Sequence, residues 1–134
     1  MSDRTVKGRL ARLLASRELS EMAIQRAVIK HLEARAVADL VWFHPANGEA
    51  RHPVTAAKLS GMGVVAGIPD LILIVRGRVF ALELKSLNGR ISKVQLAMHE
   101  RLRAAGVTIA VSHGLDQAIA QLEAWNLLRK TVYA

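Results

Sequence analysis

Gly67-Ile68-Pro69-Asp70-Leu71-Ile72-Leu73-Ile74-Val75-Arg76-Gly77-Arg78-Val79-Phe80-Ala81-Leu82-Glu83-Leu84-Lys85 carries the strongest pattern in the chain. Two apolar runs, Leu71 to Val75 and Val79 to Leu82, flank a break that contains a glycine. That is the pattern of a β-hairpin buried on both faces. With Arg76 and Gly77 as the two loop residues, Val75 pairs with Arg78, and counting back sets Asp70 opposite Glu83. Side chains alternate along a strand and opposed residues share a face, so Asp70, Glu83 and Lys85 converge at one end of an otherwise apolar hairpin. Like charges opposed across a sheet destabilise it unless something compensates them. A bound divalent cation is the obvious compensation.

Outward from the hairpin, the chain reads as helices and strands in turn. Ser20 has the form of an N-cap for a helix over about 21–36, with Ile24, Ala27, Val28 and Ile29 as its apolar stripe. Asp39 to Phe43 reads as a short strand, ended by His44-Pro45-Ala46-Asn47-Gly48. Pro53 to Leu59 reads as a short helix, and Gly61, Gly63 and Gly67 mark a tightly turned approach to the hairpin. Beyond it, Asn88-Gly89 is a turn, and Ser92-Lys93-Val94-Gln95 is a capping box that opens a helix to about Ala105. Gly106 ends that helix, Val107 to Ser112 is a strand, and Leu115 to Leu128 is a last helix. The expected fold is α/β, a mixed central β-sheet flanked by helices.

The chain has 134 residues, enough for one domain that buries roughly 65–70% of its unfolded surface. We expect the domain to span 19–134, preceded by a basic extension over 1–18 in which Leu10, Leu13 and Leu14 have helical spacing. There are no cysteines, which removes disulfides, thiolate catalysis and Cys-ligated zinc together. No run approaches the length of a membrane span and the first residues lack the apolar core of a signal peptide, so a soluble cytoplasmic protein is expected. The formal net charge of +8 favours polyanions as partners, nucleic acid above all.

Acid, acid and lysine are the residue types of a phosphodiester hydrolysis site. Mg²⁺ takes oxygen ligands and keeps several waters, so one or two carboxylates suffice to hold it. Bound metal lowers the pKa of a coordinated water, and a nearby lysine meets the charge that grows in the transition state. The plain alternative is a strand-end salt bridge to Lys85, worth about 0–1 kcal/mol at a surface. Against it, Glu83 and Lys85 interrupt a strand whose other residues are apolar. His31, His44, His99 and His113 have no metal-ligand spacing, which argues against a histidine zinc site. His99 reads as a satisfied, partly buried histidine. Lys58, Arg90 and Lys93, with Arg51, are candidates for phosphate contacts, although each taken singly reads more readily as a solvated charge. Asn47 and His52 are polar residues of the loop before the hairpin.

Gly67-x-Pro69-Asp70, the apolar hairpin and Glu83-Leu84-Lys85 resemble the active site of the PD-(D/E)xK nuclease superfamily, with its restriction-endonuclease-like core. With Glu21 on the first helix and Gln95 on the helix after the hairpin, the chain resembles more narrowly the VRR-NUC (virus-type replication-repair nuclease) domain, over about residues 20–113. The resemblance implies that Asp70, Glu83, the backbone carbonyl of Leu84 and Glu21 hold Mg²⁺, for which Mn²⁺ substitutes. It implies Lys85 as the catalytic lysine and Gln95 as a further residue of the site. Glu21 lies three and seven residues before Ile24 and Val28, at the head of the apolar stripe, where it reads equally as a first-turn acid that favours the helix dipole. Gln95 reads equally as the capping box itself. Stand-alone domains of this family occur in phages and bacteria and act as homodimers on branched DNA such as Holliday junctions. A symmetric dimer presents two sites of opposed polarity, which suits a two-fold junction. Left open are a flap, single-strand, nicked-duplex or restriction-type nuclease, and a non-catalytic DNA-binding module with the same fold.

Overall fold

The computed structural model of the chain describes residues 8, 19–46 and 53–130. Apart from residue 8, the helix expected within 1–18 lies outside the described residues, as do Asn47, Arg51 and His52. The described elements run α1 (Glu21–Arg35), β1 (Val41–Phe43), α2 (Pro53–Gly61), β2 (Leu71–Val75), β3 (Arg78–Lys85), α3 (Lys93–Ala104), β4 (Thr108–His113) and α4 (Leu115–Ala124). The strands form one sheet in the order β1-β2-β3-β4, antiparallel at the first two pairings and parallel between β3 and β4. The fold is the α/β arrangement that the sequence predicts.

The hairpin keeps the predicted register, with Val75 opposite Arg78 and Leu71 opposite Leu82. Arg76 and Gly77 both take left-handed backbone, at φ 46° and 76°, as a two-residue turn of the type that matches strand twist requires. Period-2 alternation then divides β3 between two layers. Phe80, Leu82 and Leu84 join Leu71, Leu73 and Val75 in the core, against Ile24, Val28 and Leu32 of α1 and Ala118 and Leu122 of α4. Ala81, Glu83 and Lys85 face the other way, toward α3, whose Met98 and His99 are buried. Each large apolar side chain buried in such a core contributes about 1.5–3 kcal/mol.

Both N-caps form as read. Ser20 Oγ accepts from Ala23 N at 3.1 Å, and Ser92 Oγ accepts from Gln95 N at 3.1 Å. Some boundaries differ. The first strand begins at Val41, because Asp39 turns the chain at φ 68°. The helix after Pro53 runs two residues further, to Gly61. The last strand is Thr108–His113, one residue later than expected. The last helix stops at Ala124 instead of Leu128. Asn126 there adopts φ 61°, Leu127 N donates to Leu122 O, and Leu128 pairs with Ala36 as an isolated bridge. A tertiary partner for the chain end outcompetes continued helix: Arg129 N donates to Arg35 O, and Arg35 Nε donates to Arg129 O at 2.8 Å.

The approach to β2 is fixed by one close contact. A Cβ on Gly67, at φ 85°, would lie 2.7 Å from the carbonyl oxygen of Val94 in the first turn of α3. Only a glycine fits there. Gly67→Ala is therefore expected to destabilise the fold by about 1–3 kcal/mol, read as a lower thermal midpoint. Gly61→Ala, with open space around the new methyl and no left-handed φ, is expected to be neutral or slightly stabilising.

Candidate active site

Asp70 sits one residue ahead of β2, where the ladder has ended but its register continues toward Glu83. Pro69 is buried, and the Asp70 carbonyl accepts from Nδ1 of His44 at 2.6 Å, which ties the segment to the end of β1. Because a carbonyl only accepts, Nδ1 of His44 carries the proton. Asp70 Oδ2 accepts from Leu84 N at 2.8 Å. The N–H and C=O of an extended residue point to the same edge, so the Leu84 carbonyl faces the same gap beyond the end of β2. Lys85, one residue on, faces the opposite edge, where its carbonyl accepts from Gly114 N at 2.9 Å.

Glu83 is 1% exposed, with the Asp70 carboxyl group as its acidic neighbour. Burial first, then the Asp70 carboxyl, pushes the Glu83 pKa up to about 9, although Lys85 pulls the other way. On its far side, Glu83 Oε1 lies 3.2 Å from Nε2 of His99, which is also 1% exposed. Burial, with the cations Arg103 and Lys85, pulls the His99 pKa down. Both shifts favour the uncharged forms, so burial favours a neutral hydrogen bond here over an ion pair.

Lys85 is nearly buried, and its Nζ donates to Gln95 Oε1 at 3.0 Å. The same Gln95 oxygen accepts from Ser92 N at 3.0 Å, so Gln95 closes the capping box and holds the lysine at once. Glu21 Oε1 is 3.8 Å from Lys85 Nζ, on a side chain that remains half exposed. Asp70, Glu83, Lys85, Gln95 and Glu21 thus meet at one end of the sheet. Lys58, Arg90 and Lys93 are solvent-exposed, on α2, in the loop after β3 and at the start of α3. The expectation of a partly buried His99 is corrected: it is fully buried and its partner is a site acid. The signal was its position four residues after Gln95, one turn along the same helix face.

Among the described residues, no three His, Cys, Asp or Glu side chains are grouped to cage a metal. The donor set suits a hard cation instead. Two carboxyl groups that face each other and a backbone carbonyl are all oxygen, and Mg²⁺ needs few protein ligands because it keeps its waters.

Scanned against family models and curated proteins, the sequence matches none. Solved structures do match. One described as a VRR_NUC domain protein is 26% identical, with a TM-score of 0.66, over 80% of this chain and 88% of that one. Another, described as a VRR_NUC domain, superimposes with a TM-score of 0.55 at 23% identity, over 80% of this chain and 99% of that one. The described fold is that of a VRR-NUC domain, a class of nuclease. No described helix is long and apolar enough to cross a membrane.

The raised Glu83 pKa has a consequence for stability. Between about pH 4.5, where the carboxyl titrates unfolded, and about pH 9, the folded chain holds a proton that the unfolded chain has lost. Stability from this group is full below that window and is lost as pH rises through it. In chelator, the wild-type thermal midpoint is expected to fall between pH 7.5 and 9, above the range in which the lowered His99 pKa acts with the opposite sign, and Glu83→Gln to flatten that slope and melt about 5 °C or more above wild type at pH 8.5. Equal slopes in the two proteins contradict the assignment.

Proposed function

We propose that this chain is a Mg²⁺- or Mn²⁺-dependent endodeoxyribonuclease that hydrolyses phosphodiester bonds in branched DNA such as Holliday junctions, acting as a homodimer in the cytoplasm of a bacterial or phage-infected cell. The observation that carries the catalytic part is the convergence of Asp70, Glu83 and Lys85 at the end of β3. Residues 19–134 form the nuclease domain in this reading, and the basic segment 1–18 is an extension of it.

Asp70, Glu83 and the Leu84 carbonyl would hold the cation, with Glu21 beside them; when bound, the ion acidifies a water and offsets charge on the phosphoryl oxygens. Lys85, held by Gln95, orients the attacking water or meets the negative charge that develops on the phosphate. Glu21, 3.8 Å from the ammonium, adds a second and weaker hold on it from α1. Lys58, Arg90 and Lys93 supply phosphate contacts that set affinity and its salt dependence without reading sequence. The substrate class and the dimer follow from likeness to the VRR-NUC domain and from the two-fold match between dimer and junction.

The test is cleavage of a four-way junction and a linear duplex of equal length in Mg²⁺, in Mn²⁺ and in chelator. Junction cleavage in metal alone is expected, with Asp70→Ala, Glu83→Ala and Lys85→Ala each lowering the rate by about 10²-fold or more. Binding that weakens with salt is expected to survive in all three. Wild-type protein that binds but cuts nothing in either metal is instead a DNA-binding module. Cutting of flaps, single strands or nicked duplex in preference to junctions reassigns the substrate. Sedimentation at micromolar concentration is expected to give a dimer, and a monomer equally active on linear duplex contradicts the junction assignment.

A further inference from the structure

His99 takes no part in the chemistry described so far, yet it is the buried partner of the central acid. It lies on α3, one turn beyond Gln95, and its Nε2 is 3.2 Å from Glu83 Oε1 with both residues 1% exposed. Asp70 is fixed in a comparable way, with Oδ2 accepting from a protein donor, Leu84 N, at 2.8 Å. Carboxylates that hold metals are commonly fixed in this way, one oxygen engaged by a neighbouring donor so that the other meets the ion.

We propose that His99 is a positioning residue for the metal site: by engaging Oε1 it fixes the Glu83 carboxylate and leaves Oε2 as the oxygen offered to the cation. This rests on the metal-dependent reading above. A carboxylate can only accept, so in the cation-loaded protein Nε2 of His99 carries a proton and donates it. Met98, the other buried residue of α3, has no polar hydrogen to replace that donor. Arg103 and Glu100, further along α3, are exposed and paired with each other at 3.0 Å, so neither competes for the carboxylate.

The test is Mn²⁺ binding to the full chain by titration calorimetry, free of any activity readout, with wild type, His99→Gln and His99→Met. Gln and Met are close in volume and differ in whether they donate a hydrogen bond. His99→Met is expected to bind Mn²⁺ about 10–100-fold more weakly, and His99→Gln to stay within a few-fold of wild type. A folded His99→Met that binds as tightly as wild type overturns the proposal and leaves the metal reading standing. Wild-type protein that takes up no Mn²⁺ overturns both. A second measurement needs no substitution: nitrogen NMR of the His99 ring in Mg²⁺-loaded wild type. A protonated Nε2 supports the assignment, and an unprotonated Nε2 overturns it.

Discussion

A carboxyl group buried beside another carboxyl group is the constraint around which this structure is arranged. Glu83 lies inside the sheet, and its neighbour across the hairpin register is Asp70. Ionising an uncompensated buried acid costs several kcal/mol, comparable with what two or three of the surrounding leucines contribute. The pair therefore keeps a proton or takes a cation. That choice would link the packing of the domain to the proposed chemistry: a core that destabilises the ionised acid increases the gain from a cation that compensates it.

The rest of the fold sets the position of that pair. The Arg76-Gly77 turn fixes the register, the register brings Asp70 to the end of β3, and the Leu84 amide holds its carboxylate there. Gly67 lets the preceding loop close onto α3. The first turn of α3 then provides Gln95, whose single oxygen serves both the helix cap and the lysine. A local folding signal and a site contact are here the same atom. The lysine is held between Gln95 and Glu21, from helices on opposite layers, so its placement depends on the whole domain and not on one element.

Much of this was legible in the sequence. The hairpin register followed from two loop residues and strict alternation, and the two serine caps followed from side-chain chemistry confined to one helical turn. What local pattern could not supply was tertiary. The end of α4 is decided by Leu128 and Arg129 pairing with the end of α1, about a hundred residues earlier in the chain. His99 looked like an ordinary histidine because its partner is on a strand that packs against it only after folding. Strand ends near Asp39 moved because a single left-handed residue is invisible to hydrophobic periodicity. Glu21 is readable as either a helix-dipole acid or a site acid, and it stands both in the first turn of α1 and 3.8 Å from Lys85.

Anomalous diffraction from crystals grown or soaked in Mn²⁺ would decide whether the paired carboxyls of Asp70 and Glu83 form a divalent-cation site. A manganese peak is expected between the two carboxylates, within bonding distance of both and of the Leu84 carbonyl oxygen. A fully soaked crystal with no peak there, or with manganese bound only elsewhere on the chain, would contradict it.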